Sequence, residues 1–204
     1  MRSLVASLVV LGIAAFSASQ VAPSAAEAKP LKAGDTVPSV TLRSASGESV
    51  RLADALAGKK TVVVFYRGGW CPFCNRHLAE LAGIQGDLAR LGYQTIAISP
   101  DRPEELAKAE AQGKVEYRRL SDSKAEAIRA FGLAFRVDDK TFETYRDQYK
   151  IDLEKSSGEA HHLLPVPAVF LTDEKGMIRY AYTNPDYRVR LKGADLLAAA
   201  RSSK

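Results

Sequence analysis

Cysteine is scarce in this chain: two in 204 residues, Cys71 and Cys74, both inside one Cys-Pro-Phe-Cys run. With no second CxxC, a four-cysteine zinc site is excluded, and only His77, His161 and His162 could complete a mixed one. No cysteine lies near the N-terminal processing site, so a lipid anchor there is excluded. Beyond the first residues no stretch is long and apolar enough to span a bilayer. Dense Lys/Arg runs are missing too. The net charge of +5 is spread among interleaved acidic residues, which describes a solvated surface rather than a nucleic-acid interface. There is no internal repeat, no low-complexity tract and no sign of a second domain. The length suits one domain, and a hydrophobic content of 46% is enough for a packed core.

The N-terminus has the pattern of an export signal. Arg2 supplies the positive end, residues 4–16 are apolar but short for a membrane span, and Ala26-Glu27-Ala28 is an A-x-A processing site. Residues 1–28 are therefore expected to be removed, leaving 29–204 as one exported domain, periplasmic or otherwise outside the cytoplasm, where disulfides persist. Ala15-Phe16-Ser17 is an alternative cleavage site, and an uncleaved anchor helix the competing reading. After processing no stable membrane insertion is expected.

The chain is organised around residues 61–74. Thr61-Val62-Val63-Val64-Phe65-Tyr66 is a β-branched and aromatic run that reads as a buried strand, and Arg67-Gly68-Gly69 breaks it. After Trp70 the apolar spacing becomes helical through Leu78, Leu81, Leu88 and Leu91, so both thiols sit where a strand end meets a helix start. Pro72 suits the first helical position, which makes Cys71 the N-cap. There its sulfur is expected to face the loop, and the unpaired N–H groups and dipole of the helix favour its thiolate. Cys74, one turn further in, is expected to be more covered, on the same helix face and within bonding range.

The flanking pattern alternates strand and helix, which argues for an α/β sheet. Residues 40–42 and 49–52 flank Ser44–Gly47 as a hairpin, and the helix from Pro72 is expected to reach Leu91, weakened at Gly83 and Gly86. A strand follows at 93–99, a helix at 103–112, a short strand at 115–120 and a helix capped by Ser121 or Asp122. Residues 137–150 read as a helix and 152–162 as a loop. Residues 168–172 and 177–182 read as a hairpin, and 194–200 as a closing helix.

Three readings compete for the CxxC. A structural staple would close a four-residue loop and contribute only about 2 kcal/mol by chain entropy. A zinc half-site lacks obvious partners. A redox pair is what CxxC after a strand in a βαβ setting favours.

Gly34-Asp35 with Pro38, the strand into Phe65-Tyr66, Trp70-Cys71-Pro72-Phe73-Cys74, Leu120-Ser121-Asp122 and residues 169–176 (Val-Phe-Leu-Thr-Asp-Glu-Lys-Gly) resemble the alkyl hydroperoxide reductase/thiol-specific antioxidant family. Within it, the peroxiredoxin-like branch with Trp-Cys-Pro-Phe-Cys is the most similar. The resemblance spans about residues 32–197. It implies a thioredoxin-like fold, a central mixed sheet flanked by helices, with an N-terminal β-hairpin. Typical members carry Pro-x-x-x-Thr-x-x-Cys around the peroxide-attacking cysteine. Here Arg67 holds the proline position, Cys71 the threonine position and Cys74 the cysteine position. Pro167 stands where such members place a peroxide-polarising arginine, an arrangement similar to thioredoxin that implies a cis peptide bond beside the CxxC.

Two mechanisms follow. In the first, a thiol-dependent peroxidase, one thiolate attacks a peroxide, the other cysteine closes the Cys71–Cys74 disulfide, and a thioredoxin-like protein or small thiol reduces it. Helix-end position favours Cys71 as attacker; the family pattern favours Cys74. Arg67 would favour the thiolate or the departing oxygen, and Trp70 would shield the sulfurs. In the second, a thiol–disulfide oxidoreductase, Cys71 would form a mixed disulfide with a protein substrate, Cys74 would resolve it, and Pro167 would present main-chain groups to the substrate. Neither requires a cofactor, metal or nucleic acid. Homodimers are common in the wider family, but no interface is legible in this sequence.

Overall fold

The computed structural model describes residues 21–111 and 117–203. Thr41–Arg43 (β1) and Ser49–Arg51 (β2) form the expected antiparallel hairpin, closed at its turn by Gly47 N–H donating to the Ser44 carbonyl at 2.9 Å. Leu52–Leu56 (α1) follows, then Lys60–Phe65 (β3), whose valines are buried on both faces as a central strand requires. Next come Pro72–Gly83 (α2), Gln85–Arg90 (α3), Tyr93–Ser99 (β4), Pro103–Ala111 (α4) and Arg118–Ser121 (β5). Glu126–Ala130 (α5), Ala134–Arg136 (β6), Asp139–Asp147 (α6), Leu153–Ser157 (α7) and Leu163–Pro165 (β7) lead to Ala168–Thr172 (β8), Ile178–Thr183 (β9) and Gly193–Ser202 (α8).

Among the described residues the main sheet runs β2-β1-β5-β4-β3-β8-β9. The β3–β4 and β4–β5 pairs are parallel; β3–β8, β8–β9 and β1–β5 are antiparallel. Period-two alternation sends neighbouring side chains of β3 to opposite faces. Val63 and Phe65 join Leu42, Ile96, Ile98, Phe131 and Phe170 on one side; Val62, Val64 and Tyr66 join Leu78, Leu81, Leu88, Val169 and Leu196 on the other. The second core lies under α2, so the cysteine-bearing helix is fixed directly over the C-terminal end of β3.

Four expectations are corrected. The helix from Pro72 does not reach Leu91 unbroken: it stops at Gly83, and Ile84 separates α2 from α3. The residues read as a loop at 152–162 contain α7, because Asp152 accepts from Lys155 N–H at its start and Gly158, at φ 77°, ends it left-handed. Residues 163–165 form a strand paired with β6, which was not foreseen. The helix after Asp122 is short, and Asp122 serves it from outside: its carboxylate accepts from the N–H groups of Ala127 and Ile128.

Residues 1–20, with most of the export pattern, and residues 112–116 lie outside the described set. Val21, Ala25 and Ala28 pack against the first core, and Ala22 bridges to Phe135, with its N–H donating to the Ala134 carbonyl at 2.9 Å. No helix among the described residues is long and apolar enough to cross a membrane.

Candidate active site

β3 delivers the chain to Tyr66, and the next five residues turn it into α2. Cys71 is the N-cap and Pro72 takes the first helical position, as expected. The turn depends on Gly68: at φ 149°, a Cβ there would sit 2.3 Å from Trp70 Nε1. It is held from below by Asp101, a buried carboxylate that accepts from Gly69 N–H at 2.8 Å, Ser99 Oγ at 2.9 Å and Ser156 Oγ at 2.9 Å. Burial is the main force raising the Asp101 pKa, and these three donors oppose it. Cys71 N–H donates to the Gly68 carbonyl, and Asn75 Nδ2 donates to the Gly69 carbonyl at 2.7 Å. The loop is thus fixed at both ends.

Both cysteines are reduced, and both are covered: Cys71 is 1% and Cys74 0% exposed. The expectation that the Cys71 sulfur faces an open loop is therefore corrected. Trp70, Arg67 and the segment after β9 pack over the helix start and close it. The electrostatics still separate the two thiols. The Cys71 pKa is lowered, first by a hydrogen bond from the Cys74 thiol, then, against the cost of burial, by the Cys74 N–H and the charges of Arg67 and Arg190. Cys74 moves the other way. Burial raises it most, and its role as donor to Cys71 adds to that. The pair is arranged as one thiolate and one thiol.

Arg67 is 4% exposed, and none of the described ion pairs includes it. Its Nη2 donates to Tyr145 Oη at 2.5 Å, its Nε has no partner, and the guanidinium lies over the rings of Tyr187 (4.1 Å), Trp70 (5.1 Å) and Tyr145 (5.5 Å). A buried cation with no counter-charge costs several kcal/mol, and aromatic faces return about 0.5–2 kcal/mol. The Arg67 charge in turn helps to lower the Cys71 pKa.

Arg190 was not foreseen from the sequence. Its Nη2 donates to Cys74 Sγ at 3.3 Å and its Nε to the Tyr187 carbonyl at 2.7 Å. Tyr145 and Tyr187 were missed as well. The Phe142/Tyr145/Tyr149 stripe reads as packing, and the turn at 184–188 accounts for itself.

Pro167 is buried and lines a cleft of about 230 Å³ with Arg67, Tyr145, Tyr187, Phe135 and Pro165. No peptide bond among the described residues is cis, which corrects the expectation at Pro167. Trans is the ordinary form of an X-Pro bond, and Val166 N–H donates to the Leu133 carbonyl at 2.9 Å just before it. His161 and His162 are engaged away from the sulfurs, at the Ser123 carbonyl (2.8 Å) and Glu154 (2.7 Å). His77 Nε2–H donates to the Leu191 carbonyl at 3.1 Å, and burial, with Arg190 next in size, pushes its pKa down to about 4.

A mixed sheet with a dithiol at the start of the helix after its central strand defines a thioredoxin-like fold. Residues 33–181 match the model of the AhpC/TSA family, and the chain belongs to that family. A putative peroxiredoxin of Mycobacterium tuberculosis is 37% identical over 103 residues, half of this chain and 64% of the relative. Peroxiredoxin Bcp of Escherichia coli is 30% identical over 137 residues, covering 66% of this chain and 85% of the relative. Among solved structures, peroxidoxin BcpB from M. tuberculosis superposes with a TM-score of 0.64 at 20% identity, over 85% of this chain and 99% of that one. Reduced Prx3 of Vibrio vulnificus in complex with hydrogen peroxide does so at 0.67 and 21%, over 84% and 97%. These two likenesses concern the fold.

Proposed function

We propose that the protein is a thiol-dependent peroxidase that reduces hydrogen peroxide or organic hydroperoxides by cycling Cys71 and Cys74 between dithiol and disulfide. The observation that carries this is the buried Arg67, whose charge helps to lower the Cys71 pKa and whose Nε donor is free. The Cys71 thiolate attacks one peroxide oxygen and the O–O bond breaks, giving Cys71 sulfenic acid. The bond's electron pair leaves on the other oxygen, which takes a proton and departs as water or alcohol. The free Arg67 donor suits that developing negative charge. Cys74 then displaces the sulfenic hydroxyl, and a thiol reductant, a thioredoxin-like protein or a small thiol, restores the dithiol.

Membership of a family whose named relatives are peroxiredoxins supports this over thiol–disulfide exchange. Trp70 shields the sulfurs, and Pro167 shapes the cleft by which substrate or reductant approaches. The Trp-Cys-Pro-Phe-Cys sequence places the chain in the family branch that carries it. The first residues act as an export signal, and the protein works in the periplasm or an equivalent compartment as one domain, with homodimerisation the family's common state.

Stopped-flow oxidation by hydrogen peroxide tests the assignment. Reduced Cys74→Ser keeps the fast phase and Cys71→Ser loses it. If the reverse is found, Cys74 is the attacker. If the wild-type protein reacts no faster than a free thiol, the peroxidase reading is wrong.

A further inference from the structure

We propose that Arg190 is the catalytic residue of disulfide closure: it holds Cys74 as a thiolate while Cys74 attacks the oxidised Cys71. This deepens the peroxidase reading and rests on it.

The two arginines approach from unrelated parts of the fold. Arg67 is fixed by the β3–α2 loop. Arg190 comes from the segment between β9 and α8, which is bound to α2 at two points: the Leu191 carbonyl accepts from His77 Nε2–H, and Gly193 N–H donates to Glu80 Oε1 at 2.6 Å. Those contacts set the segment beside the helix that carries Cys74. Arg190 Nε is spent on the Tyr187 carbonyl, which fixes the plane of the guanidinium and aims Nη2 at Cys74 Sγ. The neighbouring arginine does not compete for this place, since Arg188 is occupied by Asp186 at 2.9 Å. No described ion pair includes Arg190, so its charge is available to the sulfur.

The chemistry needs such a group at the second step. In the resting centre Cys74 is a fully buried thiol that serves Cys71 as a donor. Once Cys71 has become a sulfenic acid, that negative charge is gone. Cys74 must now lose its own proton and attack the Cys71 sulfur. The S–O bond breaks, its electron pair goes with the hydroxyl, the Cys74 proton joins it, and water leaves as the S–S bond forms. A buried thiolate with no cation beside it is too costly to form readily. Arg190 lies within hydrogen-bond range of the atom where that charge develops.

The test uses full-length protein and the sole tryptophan, Trp70, as reporter. Reduced wild-type, Arg190→Gln, Arg190→Lys and Cys74→Ser proteins are mixed with hydrogen peroxide in a stopped-flow fluorimeter. Sulfenic acid is trapped with a 1,3-dione, and Cys71 sulfinic acid is measured by mass spectrometry. Thermal unfolding of the reduced variants controls for folding. The expected result in Arg190→Gln is a first phase slowed only slightly, because Arg190 is the smaller of the two arginine charges that lower the Cys71 pKa. Closure is slowed by about 10- to 100-fold, the loss of one charge-assisted hydrogen bond. Trapped sulfenic acid and sulfinic acid both increase, and Arg190→Lys recovers much of the closure rate. Closure at the wild-type rate in Arg190→Gln overturns the proposal. So does equal slowing of both phases, or equal slowing by Gln and Lys, which would mark a packing role. If Cys74→Ser fails to react with peroxide at all, the assignment of Cys71 as attacker falls first and this inference falls with it.

Discussion

At the scale of single residues, the centre is governed by buried charge. Arg67 is enclosed by three aromatic rings, and its charge helps to lower the Cys71 pKa. Replacing Arg67 by Met, a side chain of similar length without the charge, removes one of the forces that lower the Cys71 pKa. Peroxide reactivity follows the thiolate fraction, so in wild type it falls only when the pH drops through that lowered pKa. In Arg67→Met the whole profile moves to higher pH, and the rate at neutral pH falls by roughly two- to fivefold. Thiolate absorbance near 240 nm, followed against pH, gives the shift directly. The same variant, once oxidised, is no less stable than oxidised wild type, because the neutral disulfide offers a buried cation nothing to pair with.

Local structure was legible wherever a capping or punctuating residue carries its own mechanism. Cys71 as N-cap and Pro72 at the first helical position follow from the sequence alone, and so does the hairpin around Ser44–Gly47. The break at Ile84 was visible only as two glycines, whose combined weight is settled by packing of the following turn on α8 and β4. Gly83 and Gly86 are both exposed and have negative φ, and a Cβ added at either would meet nothing within 4 Å. Gly83→Ala and Gly86→Ala are each expected to stabilise the protein by about 0.5–1 kcal/mol, seen as a raised midpoint in urea unfolding, with peroxide kinetics unchanged. The helix at 153–157 was overlooked because its run is polar and short, although Asp152 and Gly158 mark both ends. The peptide bond at Pro167 is trans, the ordinary form for proline, against the likeness to thioredoxin.

Across the whole molecule, the family resemblance carried the mixed sheet with its N-terminal hairpin and the position of the dithiol, because both lie inside the strand–helix pattern. It did not carry the residues that join the centre from a distance. Arg67 meets Tyr145 across 78 residues of sequence and Arg190 meets Cys74 across 116, separations that no periodicity records. The N-terminus poses a similar question. Removal of residues 1–28 would strip away the Ala22 bridge to β6 and the wall of the Arg67 cleft formed by Pro23, Ser24 and Ala25. We therefore expect processing near Ser17, upstream of these contacts, rather than after Ala28. The intact mass of the mature protein decides between the two.

The long reach between Cys74 and Arg190 also sets an order of events in time. As the chain is made, both sulfurs emerge more than a hundred residues ahead of the arginine that serves the second of them. Until the C-terminal helix docks, a growing polypeptide holds an incomplete pair, and its capacity for repeated turnover arrives last, with the finished molecule.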